Sequence, residues 1–297
     1  MTPSWDGTTK GSIWGYRFFI RTVQLLGVSV AYSFAAFIVI YYIIFVPRAS
    51  RAIYRYFRQR HQWSRWKSVI MTYRNFYRFA QILIDKIAIP AKFAKGFTYL
   101  FDDRYDDLLR ILDGSTGCIL MSAHVGNWDI AGEFFGNYGS RLHIVMLDAE
   151  RRRIKRLLDA TTGEKNYKII PLRDDMSHIF EIGKALANRE YVCFQSDRYL
   201  PGSPTLTRSL LGAQAQFPAG PFQIAARSHT PVVFFFAMRE RGRTYRFCFC
   251  PAIIDSSLSK NELSNALARQ YVQALEEILQ RYPEQWFNYY EFWEKNN

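Results

Sequence analysis

The sequence predicts an α/β fold: a mixed, mostly parallel sheet flanked by helices, preceded by an N-terminal membrane helix and basic interfacial helices. Three observations predict it. Beyond Pro90, short apolar runs of strand length alternate with segments of helical spacing, the pattern of helices packed on the faces of a sheet. Residues 23–46 carry no charged side chain, and such a run can cross a hydrocarbon core of about 30 Å. Between the two lies a basic, aromatic stretch with helical periodicity. The boundaries fall at 1–47 for the anchor, 48–100 for the interfacial helices and 101–297 for the α/β domain.

Composition narrows the partners. A chain of 297 residues, 49% hydrophobic and 17% aromatic, can bury one large core or two modest ones. The formal charge of +13 points to anionic lipid, nucleic acid or an acidic carrier protein. Cys118 and Cys193 sit in apolar runs, and Cys248 and Cys250 alternate with Phe247 and Phe249 as on one face of a strand. None has metal or disulfide spacing, so all four read as core residues of a reducing compartment.

In chain order, the anchor comes first. Lys10, Arg17 and Arg21 precede the apolar run, whereas Arg48, Arg51, Arg55, Arg58, Arg60 and Arg65 follow it. That excess of positive charge places the rest of the chain in the cytoplasm, on the inner membrane. The run is too long for a cleavable signal, and arginines rather than small residues follow Pro47. Tyr41 and Tyr42 leave an interfacial or hairpin anchor as the alternative. From Arg48 to about Lys95, Tyr54, Phe57, Trp63, Trp66, Tyr73, Phe76, Tyr77 and Phe79 recur among basic residues. Such a stretch reads either as a nucleic-acid surface or as helices at the headgroup level of an anionic membrane. Its place beside the span decides for lipid, with no nucleic acid.

The alternating region begins with a helix over 102–112. Strands are expected at 118–123, 142–147, 167–172, 191–195, 232–236 and 245–250. Helices are expected from a cap at Asp148 through Leu158, over 179–187, from Pro218 onward, and over 260–281. There are no internal repeats.

The stretch from Cys118 to Phe135 carries the chemistry. An apolar strand runs into a polar cluster, His124, Gly126, Asn127 and Asp129, and then into helix-like residues. Reactive groups in open α/β sheets gather past the carboxyl ends of strands. His124 and Asp129 are spaced H-x-x-x-x-D, which in one continuous helix would point them apart. They meet only if His124 lies in the turn and Asp129 in the first helical turn, with Asn127 as N-cap. A His held by a carboxylate is a general base. The blander readings are a hydrogen-bonded turn His and an Asp that suits a helix dipole. No metal is expected. Arg173, Asp197–Arg198 and the Phe217–Gly220 turn also gather polar groups at strand ends or a helix start. Arginine forks suit phosphate or carboxylate, and a helix amino end offers free N–H groups. Singly, each is more often a salt bridge or a routine Pro start.

Taken in order, His124-Val-Gly-Asn-Trp-Asp129, Arg173, Asp197-Arg198, Phe217-Pro-Ala-Gly220 and Thr230-Pro-Val-Val-Phe resemble the lysophospholipid acyltransferase superfamily. Within it the chain looks most like the lauroyl/myristoyl acyltransferases of lipid A biosynthesis, over residues 20–293. Tyr282-Pro-Glu-Gln-Trp-Phe287 is similar to that family's closing motif. The continuation Asn288–Trp293 departs from the family's His-Arg-Arg-like run, and Asp129 stands where the family acid is often Glu.

The resemblance implies an acyltransferase moving a fatty acyl group from an acyl carrier protein thioester to a hydroxyl of a membrane lipid acceptor. His124 and Asp129 would be catalytic. Asn127, Arg173, Asp197, Arg198 and Gly220 would bind substrate, with backbone N–H groups near Gly126 or Gly220 holding the oxyanion. No cofactor is implied beyond the thioester co-substrate. Two alternatives stay open: a glycerolipid or aminolipid acyltransferase, using acyl-CoA or the carrier, and a non-enzymatic membrane-anchored lipid-binding protein.

Overall fold

A computed structural model describes residues 13–89, 96–113, 116–135, 141–147, 167–173 and 175–293. The basic helix expected over 148–158 lies outside the described residues. The uncharged N-terminal run does not form one helix. Helix α1 (Ile13–Leu26) stops at Gly27, whose φ of 82° is left-handed, and α2 (Val28–Phe45) begins after it. That backbone is open to glycine and costly for other residues. Among the described residues, α2 alone is long and apolar enough to cross a membrane. Pro47 then opens α3 (Pro47–Arg55), which passes through a π-turn at 56–60 before α4 (Arg65–Ala88).

Helix α2 buries Val28, Ala31, Ala35 and Val39. These recur every three or four residues and so make one stripe, whereas Phe37 and Ile44 on other faces are 74% and 63% exposed. The small alanines let α4 approach, and Tyr73 of α4 donates to the Ala36 carbonyl at 3.2 Å. The aromatic stretch divides in a way the sequence reading did not anticipate. Phe57 and Phe76, expected at headgroup level, are in the core, while Trp66 stands out at 81% exposure. Tyr56 and Phe57 are buried where the α3 turn packs under the end of the chain: Tyr56 meets the ring of Trp286 at 5.3 Å and stacks on Trp293 at 6.0 Å.

The remaining elements are β1 (Thr98–Phe101), α5 (Tyr105–Asp113), β2 (Cys118–Ser122), α6 (Ile130–Phe135), β3 (Leu142–Leu147) and β4 (Tyr167–Leu172). Then come α7 (Ser177–Ala187), β5 (Tyr191–Gln195), β6 (Thr205–Leu210), β7 (Ala213–Pro218) and α8 (Gly220–Ser228). The chain closes with β8 (Val232–Arg239), β9 (Thr244–Pro251), α9 (Lys260–Arg281) and a 3₁₀ turn at Pro283–Gln285. The main sheet has the order β1-β9-β8-β2-β5-β3-β4, parallel throughout except for the β8–β9 pair. A mixed, mostly parallel sheet is therefore what the chain forms. Pro218 ends β7 rather than opening a helix, and β6–β7 make a separate antiparallel hairpin.

Strand residues alternate between two cores. Ile119, Met121, Val192, Phe194, Phe234, Phe236 and Cys248 face one side with Leu267, Tyr271 and Leu275 of α9. Cys118, Leu120, Cys193, Val233, Phe235, Phe247 and Phe249 face the other with Leu108 of α5 and Phe135 of α6. The period of two is what places both faces under cover. The cysteines are free, and burial pushes the Cys193 thiol up to about 12, so it is a packing group rather than a nucleophile. Helix α9 starts with a capping box in which Ser259 and Glu262 satisfy each other's backbone N–H.

Candidate active site

Strands β2 and β5 are adjacent and parallel, with Ser122 opposite Gln195. Each continues two residues into a turn, one to His124 and the other to Asp197. The register therefore delivers the imidazole and the carboxylate to the same height at the carboxyl edge of the sheet, where such folds keep their chemistry. His124 Nδ1 lies 2.7 Å from Asp197 Oδ1. The other carboxylate oxygen accepts from the His124 backbone N–H at 3.0 Å and from Trp286 Nε1 at 3.4 Å.

Asp197 is fully buried. Burial alone would raise its carboxyl, but the facing His124, its hydrogen bonds and the Arg198 guanidinium outweigh that and hold it down at about 2. It is a carboxylate at neutral pH. The imidazole is fixed by one nitrogen, and Nε2 takes no hydrogen bond among the described residues. A second His–carboxylate contact, His143 to Glu190 at 2.6 Å, sits at the amino end of β3 and before β5. That is the wrong edge of the sheet for chemistry and the right place for a structural tie.

The sequence pairs His124 with Asp129; the structure pairs it with Asp197. Helix α6 begins only at Ile130, so Asp129 belongs to the turn before it, and its carboxylate meets the ammonium of Lys86 on α4. Lys86 also lies over the ring of Trp128, 3.9 Å from its centroid. Trp128 in turn packs edge-on against His124 at 5.1 Å. Asp129 thus acts on the wall of the site and not on the imidazole.

The loop is held from two sides. Gly126 has φ of 53°, and a Cβ there would stand 2.1 Å from the Ala237 carbonyl oxygen. Its N–H donates to the Gln285 carbonyl at 2.9 Å, and that of Asn127 to the Ala237 carbonyl at 2.8 Å. Neither N–H is available to an oxyanion. Phe287 N–H donates to the His124 carbonyl at 2.9 Å, and Arg198 Nη2 to the Phe287 carbonyl at 2.9 Å. Asn127 is buried and its carbonyl accepts from Ile130 N–H at 3.3 Å, so it shapes the turn.

Over residues 2–295 the chain matches the family model described as bacterial lipid A biosynthesis acyltransferase. The chain belongs to that family. A comparison with curated proteins gives no match. As a lipid A biosynthesis acyltransferase, the protein is an enzyme of lipid acylation.

The acyltransferase does not gather all the expected residues at the carboxyl edge of the sheet. Arg173 follows β4, three strands from β2 and hence roughly 14 Å away at the usual spacing. It bonds Ser177 and Glu181, each at 3.2 Å. Gly220 opens α8 and is exposed, with open space where a Cβ would stand. Arg198 ties the Asp197 turn to Phe287. Lys86, Trp128, Gln285 and Trp286 surround the His124 loop through the contacts above, and nothing in their sequence spacing marks them out for that place. One signal was available for the main pairing: β2 and β5 are apolar strands of one length, each followed at the same offset by a titratable residue, His124 and Asp197.

Proposed function

We propose that this acyltransferase moves a fatty acyl group from an acyl carrier protein thioester to a hydroxyl of a lipid A-like acceptor at the cytoplasmic face of the inner membrane. The observation that carries it is the His124–Asp197 contact of 2.7 Å at the sheet's carboxyl edge, in a chain of the lipid A acyltransferase family. His124 Nε2 takes the proton of the acceptor hydroxyl as that oxygen attacks the thioester carbonyl. The tetrahedral centre collapses, the C–S bond breaks, and the imidazolium returns the proton to the leaving thiolate. Asp197 keeps the proton on Nδ1 and stabilises the imidazolium, a contribution of about 10² to 10⁴ for a positioned base. The thioester is already activated, so no covalent enzyme intermediate is needed.

Lys86 lies beside the imidazole through Trp128 and supplies a cation at the mouth of the site, with Asp129 setting its position. Phe34, Phe37, Ile40, Ile44 and Phe45 of α2 are exposed, as are Trp66, Val69 and Ile70 of α4, and this apolar surface suits a bilayer. The net charge of +13 favours an anionic leaflet. The block Arg151, Arg152, Arg153, Lys155 and Arg156 suits an acidic carrier.

The test is acyl transfer by purified His124→Ala, with lipid mass spectrometry of cells carrying either form. The expected result is a loss of turnover by two orders of magnitude or more at unchanged thermal melting, and a lipid lighter by one acyl chain. Retention of a tenth of wild-type turnover would remove His124 as the base.

A further inference from the structure

We propose that α2 is a positioning element of the active site: Tyr32 on this helix completes a buried charge network that fixes the backbone of the His124 loop. The proposal rests on the reading of His124 as the base. The network begins at Asp85 of α4 and Arg239 of β8, whose side chains are both fully buried and lie 3.0 Å apart. One Asp85 oxygen also accepts from Tyr245 at 2.5 Å, and the other accepts from the Tyr32 hydroxyl. The same Tyr32 oxygen accepts from Arg239 Nη2 at 3.0 Å. A single hydroxyl from α2 therefore touches both charges of the pair.

From Arg239 the connection runs through the main chain. Its N–H donates to Gln285 Oε1 at 2.8 Å, and its carbonyl accepts from Gln285 Nε2 at 2.7 Å. This two-point grip on one side chain fixes the rotamer of Gln285 and with it the position of its backbone. The Gln285 carbonyl receives Gly126 N–H at 2.9 Å, and two residues on, Phe287 N–H reaches the His124 carbonyl at 2.9 Å. The path from α2 to the carbonyl of the proposed base thus consists of hydrogen bonds joined by the covalent chain of Arg239 and of residues 285–287. Asn127 N–H, held at 2.8 Å by the carbonyl of Ala237, clamps the loop to the same strand that ends in Arg239.

The chemistry explains why Tyr32 matters beyond its size. A buried ion pair is stable only when its remaining donors and acceptors are satisfied. Losing the Tyr32 hydroxyl leaves buried Asp85 short of a donor and takes an acceptor from buried Arg239, whose Nη1 already has no partner among the described residues. The pair then shifts, and Gln285, gripped by the Arg239 backbone, shifts with it. Seating of α2 is in this way read out at His124, and the helix sets the rate as well as the address of the enzyme.

The experiment uses the full chain in detergent micelles and in vesicles. Tyr32→Phe removes both hydrogen bonds and keeps the ring; Tyr41→Phe, on an exposed side of the same helix, is the control. Amide hydrogen exchange is followed at Gly126, Asn127 and Phe287, with Leu120 and Met121 of β2 as internal references. In Tyr32→Phe, exchange at the three loop amides is expected to quicken by about tenfold, the factor for one hydrogen bond to a charged group. The references stay unchanged, kcat falls by a similar factor, and the donor KM is little altered. Arg239→Lys, which keeps the charge but loses the fork, should give the same pattern. Unchanged loop exchange, or an equal rise at Leu120 and Met121, would overturn the proposal in favour of a purely structural network. His124→Ala run in parallel separates the two ideas: full activity there refutes the base, whereas the exchange data still judge the relay.

Discussion

Asp197→Asn is the most discriminating substitution in this enzyme. The wild-type carboxylate is fully buried, lies 2.7 Å from His124 Nδ1 and accepts two further N–H groups. Its folded-state value of about 2 lies below the ordinary value of about 3.9. A depressed carboxyl contributes stability above its unfolded value and loses it as pH falls through the folded one. At about 1.4 kcal/mol per unit the contribution is on the order of 2–3 kcal/mol. Melting of Asp197→Asn should therefore fall short of wild type by a margin that is constant above about pH 4 and narrows as the pH drops toward 2. Turnover should fall by about 10² to 10⁴ at saturating donor and acceptor, because an amide cannot stabilise the imidazolium. Asp129→Asn, which frees Lys86 but leaves His124 seated, should lose less than about tenfold, as for a weak, partly exposed pair. Acyl transfer measured on both variants decides the matter. A larger loss in Asp129→Asn than in Asp197→Asn would refute the assignment of the orienting carboxylate.

Two further outcomes are expected. Gly126→Ala places a Cβ 2.1 Å from the Ala237 carbonyl, so the loop must leave its clamp. Melting should drop by about 1–3 kcal/mol in stability terms, with turnover falling further than stability does, both read on the same purified sample. For the donor, Arg152→Glu with Lys155→Glu should raise the KM for acyl carrier protein and weaken its dependence on ionic strength, leaving kcat less affected. Acyl-CoA should respond much less, and an equal response of both donors would refute carrier docking.

Much of the sheet is legible in the sequence because buried strands write themselves as short apolar runs. Strands β3, β4 and β5 and helix α9 have the bounds the runs suggest. Strand β1 was not anticipated, since its residues Thr98–Phe101 are exposed along an edge and carry no alternation. The β6–β7 hairpin does alternate, Ala213, Ala215 and Phe217 with Gln214 and Gln216, but its small alanines and the threonines of β6 make no apolar run. The break at Gly27 is invisible to a count of charges, because a left-handed glycine costs no hydrophobicity. At the site, spacing along the chain favours His124 with Asp129, five residues on. The actual partner is 73 residues away and is set by the register of two parallel strands, which only the pairing in space reveals. Phe57 and Phe76 show the same limit, for an aromatic beside a basic residue looks alike whether a bilayer or the protein covers it.

The clamp formed by Gln285, Trp286 and Phe287 has a consequence for the order of events during synthesis. Chains emerge amino end first, and domains fold as their sequence becomes available. The apolar α2 leaves the ribosome early, while the carbonyl and N–H groups that seat Gly126 and His124 belong to residues translated late. Asn75 of α4 also waits for them, since its side chain donates to the carbonyls of Glu284 at 3.2 Å and Trp286 at 2.8 Å. In a nascent chain the His124 loop and the α4 side of the fold therefore gain these bonds only once residues 284–287 have been made.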